Sequence, residues 1–83
     1  MSILASKEFK GQVLSGELEK YFRLENLAAR LNHLTPKSLR EDPNIHRLRG
    51  ASEDIYVLRI RGLRVFLTVS EDNIVILRAM VHG

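Results

Sequence analysis

The sequence contains no cysteine and no tryptophan. Without thiols the chain cannot form a disulfide, use a thiolate nucleophile or bind metal through sulfur. Its three histidines, His33, His46 and His82, fall at no spacing typical of a metal site. The sequence therefore predicts a protein with no metal or other cofactor, suited to a reducing compartment.

Long apolar runs are also lacking. No segment approaches the roughly 20 apolar residues that a membrane-spanning helix needs, and residues 1–6 lack the basic and apolar regions of a signal peptide. We expect a soluble, cytoplasmic protein with no membrane partner. With 83 residues, 45% of them hydrophobic and 28% charged, the chain suits one domain, residues 1–83, with a single core.

The positive charge is concentrated in the middle of the chain. Residues 1–36 contain five basic and four acidic side chains, residues 37–64 contain seven and four, and residues 65–83 contain one and two. All but one of the seven basic residues in the middle segment are arginines. Arginine binds phosphate through two parallel hydrogen bonds and stays charged at any relevant pH, so this distribution favours a polyanionic partner.

The first half of the chain is expected to be mostly helical. Residues 2–5 predict a short first strand, and Ser6 stands where a helix N-cap would be. Over residues 17–34 apolar side chains recur at spacings of three and four, which is typical of an amphipathic helix. Thr35 and Pro36 end that pattern, and residues 36–44 are expected to form a connecting loop with room for a short turn of helix.

The second half of the chain changes to a period of two. It predicts four strands, over residues 45–49, 55–61, 63–70 and 74–81. The order β-α-α-β-β-β-β predicts an α+β domain in which two N-terminal helices pack on one face of a small, mainly antiparallel sheet.

Alternation of side chains along these strands predicts a basic sheet face. If Tyr56 faces the helices, Arg59 lies on the opposite side. The same alternation in the next two strands places Arg64, Arg78 and His82 on the side of Arg59, away from the helices. Unbroken alternation in the last strand also places the isoleucines at positions 74 and 76 on the side of Arg78, with Val75 and Leu77 towards the helices.

This predicted face suits chemistry on a phosphodiester. Guanidinium groups can neutralise the phosphate and the charge that develops when its phosphorus is attacked. Attack by the 2′-OH of RNA also needs proton transfer, for which His82 is the natural group near neutral pH. Solvated surface charges and a frayed chain end are the simpler alternatives. Arg47, Arg49 and Arg61, with His46, are expected to extend RNA binding along a basic edge.

At these residues the sequence resembles the RelE/ParE superfamily of bacterial toxin–antitoxin toxins. The resemblance covers nearly the whole chain and rests on the order of short motifs rather than on any single one. These motifs are Ser6-Lys-Glu-Phe9, Leu48-Arg49-Gly50, Tyr56-Val57-Leu58-Arg59, Leu63-Arg64-Val65-Phe66 and Ile74-Val75-Ile76-Leu77-Arg78.

The resemblance implies a toxin that cuts mRNA in the ribosomal A site and is held inactive by a cognate antitoxin. Arg64 matches the arginine that stabilises the scissile phosphate, and Arg59 matches a basic residue of the preceding strand. Arg78 and His82 fall where these toxins place further catalytic groups. Two departures stand out: Val57 replaces a second basic residue, and no tyrosine follows the last predicted strand, where many active members stack one on a base.

Two other functions remain open at the level of sequence. A ParE-like toxin would bind DNA gyrase without nuclease chemistry, which the two departures favour. A non-enzymatic RNA-binding module would show strongly salt-dependent affinity without harm to the cell.

Overall fold

The computed structural model describes residues 3–21, 24–43, 45–48, 54–60 and 62–81. The elements are β1 (Ile3–Ala5), α1 (Lys7–Ser15), α2 (Leu24–Leu31), α3 (Pro36–Glu41), β2 (Ile45–Leu48), β3 (Ile55–Ile60), β4 (Leu63–Ser70) and β5 (Asn73–Val81). The α+β prediction is confirmed. Of the predicted site residues, Arg49, Arg61 and His82 lie outside the described residues. Among the described residues, no helix has the length and apolar character needed to cross a bilayer.

The five strands form one mixed sheet in the order β1-β5-β4-β3-β2. β2 to β5 make an antiparallel meander, as predicted, and β1 adds to β5 in parallel. Glu71 and Asp72, which connect β4 to β5, both have positive φ (50° and 66°). This is the backbone form of a two-residue hairpin turn whose twist matches the strands.

Among the described residues three helices precede the meander, whereas the sequence predicted two and a connecting loop with room for a short turn of helix. Ser6 caps α1 as expected, because its Oγ accepts a hydrogen bond from the Phe9 N–H at 3.1 Å. Gly16, in the left-handed conformation with φ of 76°, ends α1. Residues 17–21 then form turns rather than the start of a long helix, so the predicted helix over 17–34 is wrong at its N-terminal end.

The third helix, α3, occupies the segment expected to be a loop. Thr35 and Ser38 form a capping box, in which each side chain bonds the backbone N–H of the other residue, at 3.1 and 2.7 Å. Pro36 is at the first position of the helix, where its missing N–H has no consequence. The same proline that ends the earlier apolar pattern therefore begins a new helix.

One buried cluster joins helices and strands. The helices contribute Phe9, Leu27, Leu31 and Leu39 to this cluster. Its strand members lie on one side of the sheet in register, and we call that side the core face. In the meander they are Ile45, Tyr56, Leu58, Leu63, Val65, Leu67, Ile74, Ile76 and Ala79.

A β-bulge in β5 overturns part of the predicted alternation. Leu67 pairs with Ile76 and Phe66 pairs with Arg78, so Leu77 is an extra residue with no partner of its own on β4. Such an insertion resets which side chains point to which face. Ile74 and Ile76, predicted beside Arg78, instead belong to the core face, whereas Val75 faces the opposite side.

α1 closes the edge of β5 beyond the point where β1 ends. The Ser6 N–H donates to the carbonyl of Ile76 at 2.9 Å, and its Oγ donates to the carbonyl of Leu77 at the bulge. One turn further, the Gln12 Nε2 donates to the carbonyl of Ala79 at 2.7 Å, and its Oε1 accepts from the Ala79 N–H at 2.8 Å. The side-chain amide of Gln12 thus takes the place of a neighbouring strand.

Candidate nucleic-acid interface

The side of the sheet opposite the core face carries the predicted arginines, and we call it the arginine face. The register of the strands arranges its side chains in three rows, followed by the pair Ser70 and Asn73 next to the β4–β5 turn. Counted from the β3–β4 turn, the rows are Arg59, Arg64 and Met80; His46, Val57, Phe66 and Arg78; and Leu48, Ile55, Thr68, Val75 and Leu4.

The first row places two positive charges side by side. Arg59 and Arg64 are direct cross-strand partners, and the Cβ atoms of such partners lie about 4.5–5.5 Å apart. Like charges in this arrangement destabilise a sheet. Within the part of the chain that the structure describes, no carboxylate forms an ion pair with either guanidinium; the two ion pairs there are Arg47–Asp54 and Arg78–Glu8.

The guanidinium of Arg64 also has an unsatisfied donor. Its Nε is buried and has no hydrogen-bond partner among the described residues. A buried donor without a partner costs about 1–3 kcal/mol. Repulsion from Arg59 adds to that cost.

Arg78 lies in the second row, opposite Phe66 and diagonal to Arg64. Diagonal neighbours on adjacent strands are about 7–8 Å apart, a separation that the long arginine side chain can span. The Arg78 Nη1 is 3.6 Å from the Oε1 of Glu8 on α1, and both side chains are about half exposed. Exposed ion pairs of this kind are weak, so Arg78 remains available to an anion.

The register separates two residues that the sequence analysis grouped as one basic edge. His46 pairs with Val57 on the arginine face, whereas Arg47 pairs with Tyr56, whose side chain belongs to the core face. His46 is exposed and diagonal to Arg59. Burial of the preceding Ile45, an apolar residue, is the signal that places His46 on the opposite side.

Arg47 is engaged by a neighbouring carboxylate. Its Nη2 and Nε donate to the Oδ1 of Asp54 at 2.6 and 3.2 Å. The hydrogen bond and the charge of Asp54 raise the pKa of the Arg47 guanidinium above its usual value. The register places Arg47 at the sheet edge on the side of Tyr56, apart from the three arginines of the arginine face.

The third row is apolar and partly open. Leu4 and Leu48 are 47% and 42% exposed. Thr68, between them in the sheet, is buried, and its Oγ1 donates to the carbonyl of Asp54 at 2.9 Å. The arginine face thus changes from basic at the β3–β4 turn to mainly apolar in the third row.

No group of three or more His, Asp or Glu side chains positioned to hold a metal ion occurs among the described residues. What the face does present is a set of guanidinium groups with one imidazole nearby. Such an arrangement can bind a phosphodiester, stabilise added negative charge on it and accept or donate a proton.

Comparison of the chain with known protein families, curated proteins and solved structures finds no match.

Proposed function

We propose that the protein is the toxin of a type II toxin–antitoxin pair and acts as a metal-independent, ribosome-dependent mRNA endonuclease that inhibits translation. The observation that carries this proposal is the cross-strand pair Arg59–Arg64, with the orphaned Nε of Arg64 and with Arg78 diagonal to it. The proposal includes a RelE-like arrangement, in which the N-terminal helices pack on the core face and leave the arginine face for RNA.

The proposed reaction is cleavage of the RNA by its own 2′-OH. The 2′-oxygen forms a bond to phosphorus and the bond from phosphorus to the 5′-oxygen breaks, which gives a 2′,3′-cyclic phosphate and a 5′-OH. Arg64 and Arg59 stabilise the charge that builds on the non-bridging oxygens. Arg78 holds the phosphate from the second row.

Two protons move in this reaction, one from the 2′-OH and one to the leaving 5′-oxygen. His82 is the group proposed from the sequence for this transfer. The structure adds His46 as a candidate, because the register places it on the arginine face. Imidazole can both accept and donate a proton near neutral pH.

The proposed antitoxin covers the arginine face. Its binding segment would carry acidic side chains for the first row and apolar side chains for the third row, where Leu4 and Leu48 are exposed. Such a segment would occupy the phosphate positions and so keep the toxin inactive.

The test is inducible expression of the wild-type chain beside Arg64→Ala, with Arg30→Ala, at an exposed position in the last turn of α2, as the matched control. We expect wild type and Arg30→Ala to arrest growth and cut translated mRNA, as scored by primer extension. Loss of one group that stabilises the transition state costs about 10²–10³ in rate, so Arg64→Ala should leave the message largely intact. Growth arrest by the wild type with uncut message would overturn the proposal.

A second candidate function is a ParE-like toxin that binds DNA gyrase without cutting RNA. The third row favours it, because four of its five side chains are apolar and two of them, Leu4 and Leu48, are exposed, as apolar side chains at protein contact surfaces are. Intact mRNA together with induction of the DNA-damage response would identify this function. Leu48→Asp should then abolish toxicity at least as effectively as Arg64→Ala.

A further inference from the structure

The two edges of the sheet differ in charge. Among the described strands β2 forms one edge and β1 forms the other. β2 carries the exposed side chains of His46 and Arg47, and charged side chains are a usual protection of an edge strand against pairing with another chain. β1 consists of Ile3, Leu4 and Ala5, which carry no charge. β1 is therefore the edge that can accept a further strand.

The backbone of β1 is oriented for such pairing. The Ser6 N–H, directly after β1, donates to the carbonyl of Ile76 on β5. The N–H and C=O groups of successive strand residues point to opposite edges of the strand, so those of Leu4 point to β5 and those of Ile3 and Ala5 point outward. No described strand pairs with this outer edge.

An apolar pocket of about 330 Å³ lies beside β1 on the side of the core face. Ala5, Phe9, Lys10, Val13 and Leu14 line it. Phe9 belongs to the buried cluster and Val13 packs against it, whereas Leu14 is 88% exposed. Lysine covers apolar surface with the methylene groups of its side chain and keeps its charge in water. The pocket therefore suits an aliphatic side chain from a strand that lies along β1.

We propose that β1 pairs with β1 of a second copy of this chain, antiparallel, about a two-fold axis at Leu4. In this register Leu4 faces Leu4 of the second copy as a non-hydrogen-bonded pair. Ile3 of each copy lies opposite Ala5 of the other, and each of these pairs exchanges two backbone hydrogen bonds. Cross-strand partners point to the same face, so Ile3 of one copy covers the pocket beside Ala5 of the other.

A second copy suits this edge better than a strand of another protein does. The two-fold axis makes every contact occur twice, so two pockets are covered, whereas a foreign strand would cover one. This doubling matters because β1 has only 3 residues and the contact is at the small end of specific interfaces. We expect a dimer that dissociates in the micromolar range. The inference goes beyond the proposed function and does not depend on it.

The first test is sedimentation equilibrium of the full chain over a range of concentrations. Leu4→Lys places two lysines opposite each other on the axis and should weaken the dimer at least about tenfold, because like charges in contact oppose association. Leu48→Lys is the matched control. Leu48 lies on the same face at the opposite edge of the sheet and is 42% exposed, against 47% for Leu4. This control should leave the dimer unchanged.

The second test uses the absence of cysteine from the sequence. Leu4→Cys places a single thiol of each copy on the axis. The Cα atoms of a non-hydrogen-bonded antiparallel pair are about 4.5 Å apart, a separation that a disulfide can bridge. With oxidised glutathione, Leu4→Cys should form a disulfide-linked dimer much faster than Leu48→Cys does.

Three results would overturn the proposal. Equal rates of disulfide formation in the two cysteine variants would show random collision. Equal weakening by the two lysine variants would place the contact elsewhere on the surface. A wild type that stays monomeric at millimolar concentration would leave the edge of β1 to a strand of a different protein.

Discussion

The core face and the arginine face of the sheet differ in the burial and the charge of their side chains. Leu67 and Phe66 are neighbours in β4, yet Leu67 is fully buried on the core face and Phe66 is only partly buried on the arginine face. Every meander position on the core face is either apolar or at the sheet edge. The arginine face instead holds two arginines opposite each other and leaves a guanidinium donor unpaired. Burial of apolar side chains explains the first face, whereas the second face also carries charge that adds nothing to burial.

The largest expected difference between the faces is in packing. Leu67→Ala should lower the free energy of unfolding by about 2–5 kcal/mol, because it leaves a cavity at a site with 0% exposure. Phe66→Ala should cost clearly less, although it removes more atoms, because solvent already reaches that side chain. Urea denaturation of both variants measures the difference. Equal losses would show that the arginine face is packed like a core.

The side-chain amide of Gln12 bonds both backbone groups of Ala79 and so fixes which side chains at the end of β5 point to the core face. Gln12→Ala leaves the Ala79 N–H and carbonyl without their partner, and we expect a loss of about 1–3 kcal/mol. Hydrogen exchange of the Ala79 amide should become faster. Gln12→Glu keeps an acceptor for the N–H and loses the donor to the carbonyl, so it should protect this amide better than alanine does. Unchanged exchange in Gln12→Ala would show that the bulge holds the strand without the side chain.

Removing the charge of Arg64 should stabilise the fold. Arg64→Met relieves repulsion with Arg59 and removes the orphaned Nε, while it keeps a long apolar side chain between the strands. We expect a gain of about 1 kcal/mol in unfolding free energy, measured by denaturation at low salt. Arg30→Met, at an exposed position in the last turn of α2, is the control and should not stabilise. A loss of stability in Arg64→Met would mean that Arg64 has a structural role.

The smallest effect is expected at the sheet edge. Asp54→Asn removes the charged partner of Arg47, but both side chains are more than half exposed. Ion pairs at such sites contribute little and are screened by salt. The thermal midpoint should fall slightly at low salt and not at all at high salt. A salt-independent fall would show that this edge contributes to the fold as the core face does.

The sheet could be predicted from the sequence because period-two patterns are local. Apolar side chains at alternate positions of β3 and β4 can be buried on only one face, so Tyr56, Leu58 and Val65 identified the core face without knowledge of the partners. The same alternation placed Arg59 and Arg64 together. The same alternation puts His46 and Arg47 on opposite sides of β2.

The errors occurred where distant contacts decide the local structure. A spacing of three between Leu18 and Tyr21 fits a helix, but Gly16 ends α1 and the two residues are joined by a turn, with the Tyr21 N–H bonded to the carbonyl of Leu18. The bulge at Leu77 is held by Ser6, 71 positions earlier in the chain. No pattern within β5 contains that information.

The contact between Ser6 and Leu77 also has a consequence for the order of folding. Among the described strands β1 pairs with β5 alone, so β1 cannot be hydrogen-bonded into the sheet until β5 is in place. Closing so long a loop is entropically costly, and topologies rich in such distant pairings fold slowly. We infer that the β2–β5 meander assembles first and that β1 and α1 dock onto its finished edge. The arginine face of the meander would then form before β1 and α1 pack against β5.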